Sequence, residues 1–265
     1  MSIEFADIDV RLGGRSVLRV DRLTLEAGEL TVVVGPNGAG KSTLMRVMSG
    51  ELVPHRGNVA LAGRRLADWT PAELATARAV LPQATTLAFP FTVFEVVGLG
   101  LISAGRGLAA PDRRRRVEDA LARAGLADYA HRFYQQLSGG EQQRVQFARV
   151  LCQLPARGRG RGPTWLMLDE PTASLDLRHQ FAILDEARNH AHRDGGAVAI
   201  LHDLNLASLY ADRLLVLGEG GLKADGRPGE VLSQRLVEDV FGVRLAFAHG
   251  ANGRPFVLPE RAATP

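Results

Sequence analysis

The sequence predicts an α/β domain with a mainly parallel sheet, an antiparallel β segment at its N-terminus and an inserted helical part. Three observations carry that prediction. Short apolar, β-branched runs alternate with longer helical patterns, as they do when helices connect the strands of a buried parallel sheet. The opening "SIEFADIDVRLGG" instead alternates apolar and polar residues, as a half-exposed antiparallel strand does. Between about Ala84 and Leu137 strand signals give way to helical ones, and the chain divides into a core, 1–83 and 143–265, and a helical subdomain of about 84–142 within one domain of 265 residues. A hydrophobic content of 46% suffices for a full core.

After the first strand, "LTVVVG" (30–35) reads as a buried strand that runs into "GPNGAGKST", and "GKSTLMRVMSG" reads as the helix that follows. "FPFTVFEVVGLGLISAGRG" and "APDRRRRVEDALARAGLADY" belong to the helical part. There Asp112 is expected to cap a helix that turns Val117, Leu121 and Ala124 inward, and Arg113 to Arg116 to form a solvated face. Phe89, Phe91, Val93 and Phe94 fit either a groove for a partner helix or the subdomain core.

"EQQRVQFARVLCQ", ended by Pro155, is the next helix, and "PARGRGRGP" (155–163) a basic loop before the strand "WLMLDE" (165–170). "DLRHQFAILDEARNHAHRDGG" carries Phe181, Leu184, Ala187 and Ala191 on one stripe and is closed by paired glycines. His190 and His192, two apart on that helix, are expected at the surface, not as a metal pair. "AVAILHD" (197–203) and "RLLVLGEG" (213–220) are further strands; a short helical pattern near "EVLSQRLVEDVFG" and an apolar "FVLP" complete the tail.

Composition narrows the function. The longest apolar run, "VFEVVGLGLI" (93–102), is too short to cross a bilayer and contains Glu95. The N-terminus lacks the basic start and apolar stretch of a secretory signal, which points to the cytosol. Cys152 is the sole cysteine, so no internal disulfide or cysteine metal cage exists, and a buried inert thiol is expected. A net charge of +3 predicts no nucleic-acid partner. Thirty of the 32 basic residues are arginine, which makes Lys41 conspicuous; the other lysine is Lys223.

The segment Gly35, Pro36, Asn37, Gly38, Ala39, Gly40, Lys41, Ser42, Thr43 satisfies G-x-x-x-x-G-K-[ST] between a strand and a helix. Glycines let backbone N–H groups converge on a β-phosphate at the positive end of a helix dipole. Lys41 brings charge to the β- and γ-phosphates, the Ser42 hydroxyl a ligand for magnesium, and Thr43 an anchor for the α-phosphate. These features place the core in the P-loop NTPase (RecA-like) class, with ATP and Mg as cofactors. Such a loop needs an acidic partner at the end of another apolar strand. In "WLMLDE", Asp169 is the metal-side carboxylate, directly or through water, and Glu170 is placed to accept a proton from the attacking water.

In order along the chain, "GPNGAGKST", "LPQ" with Gln83, "LSGGEQQR", "LMLDEPTASLD" and "LHD" with His202 resemble the ATP-binding subunits of ABC transporters over nearly the whole length. That resemblance implies a head-to-tail homodimer in which Ser138, Gly139, Gly140 and Glu141 of one copy face the ATP held by its partner. It further implies that Gln83 contacts magnesium or the attacking water, that His202 touches the γ-phosphate, and that Asp176 crosses the dimer interface. Glu141 replaces a glutamine frequent in the family and is expected to point to the helix start or the ribose. Leu12 stands where an adenine-stacking aromatic is usual. "FPFTVFEVV" and "DLRHQ" are similar to the haem-import branch of the iron-chelate, haem and cobalamin importers. Permease subunits in the membrane, a periplasmic binding protein and a peripheral place at the cytoplasmic face of the inner membrane are then implied. Import of iron-siderophore or cobalamin, or a dimerisation switch without transport, are the alternatives.

Overall fold

In the computed structural model, which describes residues 1–84, 87, 89–155, 164–250 and 253–258, the chain forms two units, 1–68 with 198–265 and 69–197. In the first unit, β1 (Ser2–Leu12) and β2 (Arg15–Glu26) form an antiparallel pair. Along β1 the buried positions switch from Ile3 and Phe5 to Ile8 and Val10. The change of parity follows from Asp7, whose φ of 53° inserts one extra residue, and the pairing of β1 with its neighbour shifts between Ala6 and Asp9. β3 (Leu30–Val34) is buried throughout, as a strand covered on both faces must be, and leads through 35–40 into α1 (Lys41–Met48). β4 (Arg56–Leu61) and β5 (Arg64–Arg65) extend the antiparallel part beyond β1.

The second unit begins with α2 (Pro71–Ala77) and β6 (Arg78–Leu81). It continues through the helices α3 (Val93–Gly98), α4 (Leu101–Ala104), α5 (Ala110–Arg123) and α6 (Gly139–Gln153). β7 (Thr164–Asp169), buried along its length, pairs in parallel with β6. α7 (Leu177–Asp194) follows, and β8 (Gly195–Ile200) carries the chain back into the first unit. Val93, Val96 and Val97 of α3, Val117 and Leu121 of α5, and Val145, Phe147 and Val150 of α6 are buried, each contributing about 1.5–3 kcal/mol of hydrophobic stabilisation.

Back in the first unit come α8 (Leu204–Tyr210), β9 (Arg213–Gly218), β10 (Gly221–Gly226), α9 (Pro228–Val231), α10 (Gln234–Phe241), β11 (Ala246–His249) and β12 (Pro255–Leu258). The strand order there is β5-β4-β1-β2-β10-β9-β3, with β3 and β9 parallel and β11 and β12 a separate antiparallel pair. The fold is thus α/β, with a mixed sheet, antiparallel strands at the N-terminus and a helical insertion.

Three local expectations change. Asp112 lies inside the first turn of α5, because Pro111 at the helix start moves the cap to Ala109. Arg113 to Arg115 are exposed, but Arg116 is half-buried and donates to the carbonyls of Cys152 and Leu154 at the end of α6. His190 is buried: its Nε2 lies 2.9 Å from the Thr164 carbonyl, an acceptor only, so that nitrogen carries the hydrogen. Of the four apolar residues after Gln83, Val93 is core while Phe89 is exposed and meets Phe91 edge to face. Residues 156–163 of the basic loop lie outside the described residues.

Candidate nucleotide site

In the first unit the phosphate loop is shaped by glycines that no other residue can replace without movement. Gly40 has φ +94°, and a Cβ there would stand 2.8 Å from the Val17 carbonyl oxygen. At Gly35 (φ +156°) a Cβ would be 2.3 Å from the Leu217 oxygen of β9. The loop is therefore pressed against its neighbours at both glycines. The Lys41 side chain is buried and folds back along the loop, its Nζ donating to the carbonyls of Gly35 at 2.8 Å and Pro36 at 2.9 Å. Asn37 and Gly38 are exposed, and Pro36, Gly40, Ser42 and Thr43 are half-buried around the N-terminus of α1, where the dipole favours an anion. Leu12, at the end of β1, is 46% exposed.

His202 is exposed in the short stretch that joins β8 to α8. Upstream of it the Leu201 N–H donates to Val33 O at 3.1 Å. Downstream, Asp203 caps α8 by accepting from the N–H groups of Asn205 at 2.7 Å and Leu206 at 3.1 Å.

In the second unit β7 ends on a buried Asp169, and the next residue, Glu170, adopts φ 51°, which turns the chain away from the strand direction. A left-handed conformation costs a branched-chain-free L residue about 1–2 kcal/mol, so the surrounding structure must hold it. Gln83, 87 positions earlier, donates from Nε2 to Glu170 Oε2 at 3.0 Å. Two residues selected separately in the sequence thus meet, and the glutamine fixes one oxygen of the carboxylate.

The "LSGGE" turn opens α6. Ser138 is the cap: the Glu141 N–H donates to its Oγ at 3.4 Å, while Ser138 N–H and Oγ–H both donate to Glu141 Oε2 at 2.8 Å. The Ser138 hydroxyl and then its amide hold the Glu141 carboxyl below the usual carboxylate range. Glu141 is therefore turned to the helix start. A Cβ on Gly140 would lie 2.9 Å from Ser174 O, so this turn packs on the loop that leads to Asp176. Asp176 caps α7, accepting from His179 N–H at 3.0 Å, and that amide first, then the His179 ring, lowers its pKa.

One recurring device was not singled out in the sequence. Gln142 and Gln180 each stand four residues past a helix cap, Ser138 and Asp176. Gln142 Nε2 donates to the carbonyls of Tyr134 and Leu137, and Gln180 Nε2 to those of Thr172 and Leu175. Each glutamine ties the loop before its helix to the helix itself; the signal is a glutamine at cap plus four.

A glycine-rich loop with a buried lysine, and a strand-end Asp-Glu pair with a glutamine on the glutamate, define a phosphate-loop nucleotide triphosphatase. Residues 18–173 match the ABC transporter family, and the chain belongs to the ATP-binding proteins of that family. It is 51% identical over 259 residues to a hemin import ATP-binding protein, HmuV, of Mesorhizobium japonicum, covering 97% of this chain and 98% of that protein. A protein of the same name from Gloeobacter violaceus is 50% identical, covering 99% and 95%. Among solved structures, the dimeric bacterial ABC transporter cassette MJ0796 superposes with a TM-score of 0.75 at 26% identity, covering 85% of this chain and 98% of that one. A bacterial Atm1-family ABC exporter with ATP bound gives 0.72 at 29% identity, covering 85% of this chain and 38% of that one. Among the described residues no helix is long and apolar enough to cross a membrane.

Proposed function

We propose that this chain is the ATP-hydrolysing subunit of a hemin importer. It works as a head-to-tail homodimer on the cytoplasmic face of the membrane, with permease subunits and, through them, a periplasmic binding protein. The observation that carries this reading is the hydrogen bond between Gln83 and Glu170, set in a chain near half identical to hemin import ATP-binding proteins along nearly its full length.

Gly35 to Thr43 hold the triphosphate, with the Lys41 ammonium leaving its loop carbonyls for phosphate oxygens. Ser42, Gln83 and Asp169 are oxygen donors of the kind magnesium prefers, and the ion would neutralise charge on the β- and γ-phosphates. Glu170 accepts the proton of the water whose oxygen attacks the γ-phosphorus, while the β–γ bridging oxygen leaves with ADP. His202 orients that water. Ser138, Gly139 and Gly140 of the second copy meet the γ-phosphate with the N-terminus of α6, and Asp176 lies at the junction of the copies. Loss of the γ-phosphate then loosens the dimer, and residues 84–142 pass the change to the permease.

The test is reconstitution of the purified subunit with its permease in liposomes. Hemin-loaded binding protein is expected to stimulate ATP hydrolysis; stimulation by ferric siderophore or cobalamin, and not by hemin, would reassign the cargo. Failure to associate with any permease would favour a dimerisation switch instead.

A further inference from the structure

The β11–β12 pair supplies none of the phosphate-binding or proton-accepting residues, yet it is fastened along the whole of α8. Asn205 makes a reciprocal pair with Val257: its Nδ2 donates to Val257 O at 3.1 Å and its Oδ1 accepts from Val257 N–H at 2.7 Å. Ser208, buried in the middle of the helix, donates from Oγ to Pro255 O. Arg254 lies at the C-terminus, one guanidinium nitrogen donating to the carbonyls of Ser208, Leu209 at 2.8 Å and Ala211 at 3.0 Å. Those carbonyls have no helical partner, and the dipole favours a cation there.

α8 has seven residues, too few to be stable without external support. Its first turn begins two residues after His202. Asn205 is held from both sides, its backbone N–H by the Asp203 carboxylate and its side chain by Val257. Upstream, Leu201 is bonded to Val33 of the strand that enters the phosphate loop. The three residues 201–203 are thus pinned at one end by β3 and at the other by a helix that β12 holds straight.

We infer that the β11–β12 pair is a strap that sets the position of His202, with Asn205, Ser208 and Arg254 as positioning residues for ATP hydrolysis. This rests on the role given to His202 above. Releasing the strap lets the first turn of α8 fray and His202 drift, which slows the chemical step without weakening ATP binding. Displacement of a catalytic group by about 1 Å costs up to about 100-fold in rate.

The test uses the full chain with its permease. Asn205→Ala and Arg254→Ala are expected to lower kcat about 10-fold while KM for ATP stays within about twofold, and His202→Ala lowers kcat at least as far. In the double variant His202→Ala/Asn205→Ala the second change is expected to cost nothing further, because the strap acts through the histidine. Where Asn205→Ala does not fold, Ser208→Ala is read in its place. Strap variants with wild-type kcat alongside an impaired His202→Ala overturn the strap alone. A rise in KM matching the fall in kcat, or additive losses in the double variant, also overturns it. Wild-type turnover in His202→Ala overturns the assignment of His202 and the strap with it.

Discussion

Gly40→Ala isolates the contribution of loop shape to nucleotide binding. Alanine at φ +94° costs about 1–2 kcal/mol for the left-handed backbone. Its Cβ would stand 2.8 Å from Val17 O and 3.3 Å from Leu18 Cδ1, so the chain must give by about half an ångström to reach an ordinary carbon–oxygen contact. Overpacking of this kind adds about 1–3 kcal/mol, for a total of about 2–5 kcal/mol. If the loop distorts to absorb it, ATP affinity falls between about 30-fold and several thousand-fold. If the fold absorbs it, the melting temperature falls by about 4–20 °C. Gly38 is the internal control, with φ +79° and no atom near its Cβ, so Gly38→Ala carries the backbone cost of about 1–2 kcal/mol alone. Titration calorimetry with ATP and scanning calorimetry on both variants measure the two effects. A Gly40→Ala protein with affinity within twofold of wild type and an unchanged melting temperature would show that the loop does not need glycine at this position, and a larger loss at Gly38 would count against steric contact as the cause.

Three further outcomes are expected. Glu170→Gln keeps ATP binding and accumulates an ATP-dependent dimer on size exclusion; a monomeric, fully active variant would remove Glu170 from its role. Gly196→Ala places a Cβ 2.6 Å from the Trp165 ring and costs about 1–3 kcal/mol, seen as a fall in melting temperature of several degrees. Burial raises the Cys152 thiol from 9.0 to about 11, above its unfolded value. The thiol's stabilisation is therefore complete below about pH 9 and is lost as pH rises through about 11. Two units amount to about 3 kcal/mol, so the stability difference between wild type and Cys152→Ala in urea narrows by that amount between pH 8 and 11.5. A constant difference would contradict the burial argument.

What the sequence disclosed was set by how locally the chemistry is encoded. Gly35 to Thr43 and Ser138 to Glu141 are contiguous, and each carries its own helix start, so loop, cap and dipole are legible together. The buried strands 30–34 and 164–169 were legible for the same reason, as unbroken apolar runs. The Gln83–Glu170 bond was not, because 87 residues and the turn at Glu170 separate a choice of partner from any local pattern. Burial of His190 was hidden by its chemistry and not by its spacing: with Ile183 and Ala187 it continues a four-and-three repeat, and the Thr164 carbonyl satisfies its ring. The strap on α8 was unreadable because its bonds run from Asn205 and Ser208 to backbone groups of β12, where the residue identities say nothing.

In the proposed dimer the phosphate loop of one copy and the Ser138 turn of another close on one ATP. Two single-cysteine proteins, Asn37→Cys and Ser138→Cys, each with Cys152→Ser and Glu170→Gln, allow only intermolecular disulfides when mixed and oxidised. A crosslinked heterodimer is expected with ATP and magnesium and not without nucleotide; the same yield without ATP, or no heterodimer under any condition, would rule out the shared site.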